Sequence, residues 1–92
     1  MTAQTWCVYL ILCENASLYC GISPRPYERL LAHKAGKGAK YTRIHKPEAM
    51  RVVADGLSKS EALKQEIALK KMPAAKKRAL WMACAAHEIE AV

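Results

Sequence analysis

The sequence is poor in several features that would place it in a specialised structural class. Its 92 residues contain only four glycines and four prolines, and no internal repeat or disordered tract appears. No apolar run reaches the ~20 residues that a membrane-spanning helix needs. The N-terminus also lacks the basic region, apolar stretch and small-residue cleavage site of a secretory signal. We therefore expect a soluble, cytoplasmic protein.

Metal-binding and disulfide patterns are also missing. The chain has four cysteines, Cys7, Cys13, Cys20 and Cys84. None of them forms a Cys-x-x-Cys pair and most lie in apolar runs, which is typical of small buried side chains in a reducing compartment. The three histidines are too scattered to complete a structural zinc site.

Acidic residues are few, and the charge balance points to a polyanionic partner. The chain has 15 Lys and Arg against 8 Asp and Glu, giving a net charge of +7 and a pI near 9.4. Such a surface suits nucleic acid or anionic lipid, and charge alone does not separate the two. The length predicts one compact domain over residues 1–92, with no room for a second recognition module.

The N-terminal third predicts a β-hairpin. The apolar run 7–13 and the stretch 18–22 are typical of strands, and Glu14-Asn15-Ala16-Ser17 between them supplies turn chemistry. A two-residue loop would put Tyr9 opposite Ile22 and leave Tyr9 and Tyr19 on opposite faces. A three-residue loop or a bulge would put both tyrosines on one face.

A helix is predicted from Ser23-Pro24 to about Ala35, because a capping hydroxyl followed by proline starts helices well. Arg29 and His33 lie one turn apart on a flank of this helix. Its apolar stripe is predicted to comprise Tyr27, Leu30 and Leu31. A basic, glycine-punctuated loop follows over residues 36–43, and then a third strand over 50–54 that extends back to about residue 47.

The C-terminal half predicts two helices. Ser58 and Glu61 form a capping box that opens a helix to about residue 71, and Pro73 starts another that ends near residue 86. The basic residues 76–78 are interpreted as a solvated helix face. The apolar arc of the first helix is predicted to comprise Ala62, Leu63, Ile67 and Leu69.

Glu66 lies near the middle of that apolar arc, where a carboxylate is unfavourable unless a partner compensates for its burial. One interpretation is a partly buried pair with Lys70, one turn further on. The other is a metal or phosphate site at the edge of the core. The spacing alone leaves both open.

The ordered set of a tyrosine in Cys7-Val8-Tyr9, a second in Tyr19-Cys20-Gly21, an Arg-His pair and a late helical glutamate resembles the GIY-YIG nuclease superfamily. The scaffold segments around Leu18–Ser23, Gly36–Arg43 and Ser60–Leu63 are similar to its small stand-alone branch, and the resemblance covers about residues 6–80. It implies an α+β domain with a small three-stranded, mostly antiparallel sheet flanked by helices. The first signature reads Cys7-Val8-Tyr9 instead of Gly-Ile-Tyr, Cys20 stands where isoleucine is usual, and no late asparagine is present.

The resemblance implies five catalytic residues. Tyr9 would be the general base, with its pKa lowered by neighbouring positive charge. Tyr19 would hydrogen-bond water or phosphate, and Arg29 would hold the phosphate. His33 would orient Tyr9 or share its proton. Glu66 would bind one Mg²⁺ or Mn²⁺ ion.

The predicted function is therefore metal-dependent endonucleolytic cleavage of DNA, favouring single strands, in DNA processing, repair or recombination. The residues expected to contact nucleic acid are Lys34, Lys37, Lys40, Tyr41, Thr42, Arg43 and Lys46. Alternatives left open are a flap- or junction-specific endonuclease, a non-catalytic nucleic-acid-binding module with the same fold, and a subunit that receives substrate from a protein partner.

Overall fold

The computed structural model describes residues 5–89. Its elements in chain order are β1 (Trp6–Cys13), β2 (Leu18–Ser23), α1 (Pro26–Lys34), α2 (Lys40–Ile44), β3 (Pro47–Leu57), α3 (Lys59–Lys70), α4 (Ala74–Ala83), a 3-10 turn (Ala85–His87) and β4 (Glu88–Ile89). No helix in this part of the chain is long and apolar enough to cross a membrane.

The strands form one antiparallel sheet in the order β2-β1-β3-β4, so the predicted α+β architecture with flanking helices is confirmed. The predicted count of three strands is wrong, because β4 pairs with the middle of β3 through Met50–Ile89 and Arg51–Glu88. Two residues are too few to show the alternation by which a strand is identified from sequence. Arg51 holds this pairing together, since its Nε donates to Glu88 Oε1 at 2.9 Å.

The hairpin between β1 and β2 has a three-residue loop, Glu14 to Ala16. Cys13 N donates to Ser17 O at 2.9 Å, and Ala16 closes the loop with φ 65°. Tyr9 therefore pairs with Gly21, and Tyr19 pairs with Ile11. Since Ile11 is two residues from Tyr9, both tyrosines project from the same face of the sheet.

Each face of the sheet carries its own buried cluster. On the α1 face the cluster comprises Cys7, Tyr9, Ile11, Cys13, Leu30 and Met50. On the opposite face, under α3 and α4, it comprises Val8, Leu10, Cys20, Ala62, Leu69 and Trp81. Alternate residues of β1 serve the two clusters, which explains why that strand is apolar without interruption.

Helix α1 is shorter and differently rotated than predicted. It begins at Pro26, because the Ser23 hydroxyl accepts from the Arg25 amide at 2.9 Å in a turn before the helix. Leu30 and His33 form its buried stripe, with 0% and 1% exposure. The predicted stripe is wrong for Tyr27 and Leu31, which are exposed. A buried polar partner for His33 holds the helix in this rotation, as described below.

The second half of the chain agrees better with its sequence signals. Both halves of the Ser58 and Glu61 capping box are formed, and α3 ends one residue before the predicted position. Helix α4 starts directly after Pro73 but ends at Ala83. The third strand is longer than predicted, Pro47–Leu57, and residues 40–44 of the predicted loop form the short helix α2.

Candidate active site

The centre of the candidate site is a hydrogen bond between two buried side chains. Tyr9 Oη from β1 lies 3.1 Å from His33 Nε2 on α1, and their rings meet edge to face at 6.0 Å. Each residue is only 1% exposed. The pair therefore links the central strand to α1 and satisfies two polar groups that burial would otherwise leave unpaired.

Thr42 determines which nitrogen of His33 carries the proton. The Thr42 hydroxyl donates to the Ala39 carbonyl at 3.0 Å, and His33 Nδ1 lies 2.6 Å from the same hydroxyl oxygen. Because a hydroxyl has a single proton to donate, Thr42 must accept from His33 Nδ1–H. The neutral ring then presents an unprotonated Nε2, to which the Tyr9 hydroxyl donates.

Two glycines make room for this pair. Gly21 lies opposite Tyr9 in the hairpin, and a Cβ there would overlap the Tyr9 hydroxyl and ring. A Cβ on Gly38, in the loop before α2, would overlap the His33 ring. Any larger residue at either position would displace one member of the Tyr9–His33 hydrogen bond.

Burial keeps both members of the pair neutral near pH 7, and the Arg29 guanidinium opposes this effect for Tyr9 but adds to it for His33. Burial raises the pKa of Tyr9 to about 12, and nearby Arg29 only partly opposes this rise. Burial, and then the charge of Arg29, lower the pKa of His33 to about 4. The expected lowering of the Tyr9 pKa is therefore wrong for the free protein, because desolvation outweighs the one cation beside it.

Tyr19 connects the buried pair to the surface through a series of aromatic rings. The half-buried Tyr19 ring meets His33 at 5.6 Å and stacks on Tyr41 at 6.0 Å with an interplanar angle of 15°. Tyr41 also contacts His45 at 4.8 Å, and its hydroxyl donates to the Ser17 hydroxyl. The ring of Tyr41, 38% exposed, is thus already held in place by Ser17, Tyr19 and His45.

Arg29 lies partly buried on α1 beside Tyr9 and His33, and it forms no ion pair within residues 5–89. A shallow depression of about 260 Å³ adjoins it, lined by Ser23, Pro24, Arg25, Glu28, Arg29 and Ala32. The one acidic group there, Glu28, pairs with Arg25 at 3.5 Å. The guanidinium of Arg29 is therefore available to an anion, and its forked donors match a phosphate.

Glu66 lies on α3, on the other face of the sheet from the two tyrosines. It occupies the inward stripe between Ala62 and Leu69, with a side chain only 17% exposed. The predicted arc is wrong for Leu63 and Ile67, which are 41% and 54% exposed. Helix α3 thus turns a carboxylate inward and two aliphatic residues outward, which opposes what burial of apolar area favours.

The surroundings of Glu66 place it at the edge of the sheet. Its carboxylate pairs with Lys70 at 3.5 Å, as one of the two sequence interpretations predicts. The pKa of Cys20 is raised to about 12, mainly by burial and further by the negative charge of Glu66. Since β2 is an edge strand, Cys20 and its neighbour Tyr19 project to opposite faces at the same open edge.

The candidate site therefore has two parts. Tyr9, Tyr19, Arg29 and His33 come together on the α1 face, as the sequence predicts. Glu66 is separate from them. It lies beside the edge strand on the α3 face, where it forms an ion pair with Lys70.

The metal-ligating side chains present fit only a site in which most coordination positions are left to water or substrate. Residues 5–89 contain no group of three His, Cys, Asp or Glu side chains that could enclose a cation. A single carboxylate does suit Mg²⁺ or Mn²⁺ when water and substrate phosphates supply the other ligands. Glu66 is the residue that would hold such an ion.

The residues expected to contact nucleic acid are exposed, with one exception. The five basic side chains and Tyr41 lie on the surface of the segment from the end of α1 to the start of β3. Thr42 is 1% exposed and bonds to His33, so its expected contact with nucleic acid is replaced by a role inside the site. Sequence reasoning missed this role because nothing local distinguishes Thr42 from its solvated neighbours.

The fold and the gathered side chains define a small α+β domain of the GIY-YIG type. A family model described as the GIY-YIG catalytic domain matches residues 5–79, and the chain belongs to that family. The predicted resemblance and its extent are thereby confirmed. Membership in this family indicates a nuclease, for which DNA is the implied substrate and divalent metal the usual cofactor.

Relatives of similar length support this assignment. The chain is 67% identical over 81 residues to "UPF0213 protein in glnA 3'region" of Neisseria gonorrhoeae, covering 88% of this chain and 89% of the relative. It is 49% identical over 76 residues to a UPF0213 protein of Cupriavidus pinatubonensis, covering 80% and 82%. These names specify no activity, substrate or metal. No solved structure matches the chain.

Proposed function

We propose that this protein is a divalent-metal-dependent endonuclease that hydrolyses phosphodiester bonds in DNA and favours single strands. The observation that carries the proposal is the buried Tyr9–His33–Thr42 hydrogen-bonded series beside Arg29, which forms no ion pair within residues 5–89. A structural core would fill this space with apolar side chains at lower cost. The site instead combines a proton donor, a proton acceptor and an anion-binding group on one face.

Binding of substrate would begin at Arg29. A phosphate on the guanidinium would offset the positive charge that lowers the pKa of His33, and its own negative charge would raise that pKa further. His33 would thus become a better proton acceptor only when a phosphate is present. Arg29 would also stabilise the charge that grows on the phosphate oxygens during hydrolysis.

Tyr9 and His33 would act as a couple in the proton transfer. With a pKa of about 12, Tyr9 is almost entirely protonated at neutral pH and is a poor base by itself. Its hydroxyl would accept a proton from the attacking water while passing its own proton to His33 Nε2. Thr42 would keep His33 in the only neutral tautomer that permits this transfer.

Tyr19 and Glu66 would complete the site from the edge of the sheet. Tyr19, half-buried between the buried pair and the surface, would hydrogen-bond the water or the phosphate. Glu66 would hold one Mg²⁺ or Mn²⁺ ion, which when bound supplies positive charge to the leaving oxygen. The inward rotation of α3 supports this role, since it keeps the carboxylate at the edge strand despite the exposure of Leu63 and Ile67.

A single-stranded substrate suits the surface around the site. The exposed cations form a short basic segment beside the aromatic Tyr41, and none of the described elements offers a long helix for the major groove there. We place this activity in the cytoplasm, where the four buried free cysteines would stay reduced, and in DNA processing, repair or recombination.

One observation favours a second candidate, a nucleic-acid-binding module without catalysis. Tyr9 is 1% exposed, so in the free protein its hydroxyl meets His33 and not solvent. A binding module would retain this pair as a structural link only. It would bind nucleic acid equally well with and without Mg²⁺.

Metal-dependent turnover separates the two candidates. Purified protein is incubated with single-stranded, duplex and flap oligonucleotides, with and without Mg²⁺ or Mn²⁺. We expect cleavage only with metal, fastest on single strands, and its loss in Glu66→Gln with DNA binding retained. Glu48→Gln, which removes an exposed carboxylate from β3, is the matched control. Binding without cleavage of any substrate at any metal concentration would favour the binding module.

A further inference from the structure

A basic cleft lies between the start of β2 and the first turns of α4. It has a volume of about 210 Å³ and is lined by Ser17, Leu18, Ala74, Lys77 and Arg78. Two of these five residues are cations, one carries a hydroxyl, and none is acidic. Leu18 and Ala74 give the cleft an apolar part.

The two cations of the cleft have no acidic partner within the described chain. Among residues 5–89 neither Lys77 nor Arg78 forms an ion pair, and α4 has no acidic residue in its first turn. Lys77 is half-buried, whereas its neighbour Lys76 is exposed and does not line the cleft. A half-buried lysine packs its aliphatic stem against the protein and keeps its ammonium at the surface, where it can meet an anion.

The cleft also adjoins both parts of the candidate site. Ser17 on its rim accepts a hydrogen bond from Tyr41, which stacks on Tyr19. On the other face of the edge strand, the charges of Lys77 and Glu66 both act on Cys20. A strand that passes the edge of β2 between Tyr19 and Glu66 would therefore reach the cleft next.

We infer that this cleft binds a backbone phosphate of the nucleic acid strand, next to the scissile linkage and on the side away from the basic segment before β3. This assignment rests on the proposed function, because it uses the same strand and the same site. It gives residues 77 and 78 a role that their pattern in the sequence does not show. It also extends the contact surface to both sides of the hairpin loop, so short oligonucleotides should bind more weakly than longer ones.

Binding of a labelled single-stranded oligonucleotide of about 12 nucleotides, within the usual range for such surfaces, tests the cleft. Fluorescence anisotropy is measured across a salt series without metal, so that no cleavage occurs. The double variant Lys77→Ala/Arg78→Ala is compared with Lys71→Ala/Lys76→Ala, which removes two exposed cations outside the cleft. Circular dichroism checks folding, and Lys77→Arg/Arg78→Lys keeps the charge if the alanine variant fails to fold.

The cleft variant should bind about tenfold more weakly at low salt, and the slope of log K against log salt should fall in magnitude by about 0.7, the value for one lost phosphate contact on a single strand. The control should change the slope much less, and the charge-keeping variant should bind within about twofold of wild type. An equal effect of both double variants, no effect of the cleft variant, or no binding by wild type would each overturn the inference. Failure of the proposed function has a different signature, which is wild-type binding without metal-dependent cleavage.

Discussion

The two faces of the sheet handle charge in opposite ways. On the α1 face, Tyr9 and His33 are buried, hydrogen-bonded to each other and neutral near pH 7. On the α3 face, the carboxylate of Glu66 forms an ion pair with Lys70 at the edge of the sheet. Proton transfer benefits from a dry, fixed environment, whereas binding a hydrated cation needs an accessible carboxylate. Under the proposed function, both environments would act on a single phosphate at the edge strand β2.

Removal of the proton-transfer group should have the largest effect on activity. Tyr9→Phe keeps the ring, and the loss of a positioned proton-transfer group should reduce cleavage by on the order of 10² or more. Single-turnover kinetics on a labelled oligonucleotide measure this, with DNA binding and circular dichroism as controls. Tyr27→Phe, which removes an exposed hydroxyl from α1, is the matched control. Unchanged cleavage by Tyr9→Phe would remove the residue from the mechanism.

Removal of the guanidinium should cost a similar factor for a different reason. Arg29→Ala should reduce cleavage by on the order of 10² because a charge donor to the phosphate is lost. The same change should raise the pKa of His33, since the charge of Arg29 contributes to its lowering. Titration of His33 by NMR in wild type and variant checks this second result. A variant that cuts normally would contradict the assignment of Arg29.

The α1 face should also control how stability depends on pH. The folded pKa of His33 is about 4, below the ordinary value of 6.5, so the unfolded chain binds the proton more readily. Stability is therefore full above pH 6.5 and falls as the pH drops toward 4, by about 3 kcal/mol over this range. Urea unfolding at a series of pH values measures the loss.

His33→Asn should weaken the protein overall yet remove most of that slope between pH 6.5 and 4. Glu66→Gln, on the α3 face, should leave the slope in place. A slope retained in His33→Asn would show that another group is responsible for it.

Loss of the tautomer-fixing hydroxyl should have an intermediate effect. Thr42→Val is similar in shape but cannot accept from His33 Nδ1–H, so we expect cleavage to fall by about tenfold, less than the roughly 10²–10⁴-fold that a general acid–base group contributes. Thr42→Ser should restore most of the activity, because it returns the hydroxyl. Affinity for DNA should not change, since Thr42 is buried. Weaker DNA binding with a normal cleavage rate would instead indicate that Thr42 contacts nucleic acid.

The surface aromatic should contribute least. Tyr41→Ala should weaken single-strand binding by about 1 kcal/mol, the low end for a base-stacking residue, because its ring already contacts Tyr19 and His45. Anisotropy with a labelled oligonucleotide measures it. Equal affinity in wild type and variant would assign Tyr41 to the support of Tyr19 alone.

The sequence predicts the parts of this molecule whose signals are local. The capping box at Ser58 and Glu61 and the proline before α4 mark helix starts within a residue or two. The hairpin strands follow equally well from their apolar and turn residues. The set of Tyr9, Tyr19, Arg29 and His33 is predicted by the ordered family motif, and the structure gathers those four on one face.

Features that depend on tertiary contact could not be predicted. The hairpin register is fixed by the length of its loop. The three-residue loop requires a positive φ at Ala16, and alanine rarely adopts a positive φ. Helix α1 buries His33 in place of Tyr27 because the Tyr9 hydroxyl lies across from it, some 24 positions away in the chain. Helix α3 buries Glu66 between Ala62 and Leu69 against its own apolar pattern. The two conflicts between apolar pattern and packing, on α1 and on α3, both fall at the candidate site.

The state of His33 tests the central claim most directly. Nitrogen-15 NMR of the histidine ring at pH 7 reports both protonation and tautomer. The account predicts a neutral ring with its proton on Nδ1, bound to Thr42, and no protonation until the pH falls to about 4. A proton on Nε2, or titration near pH 6.5, would contradict it.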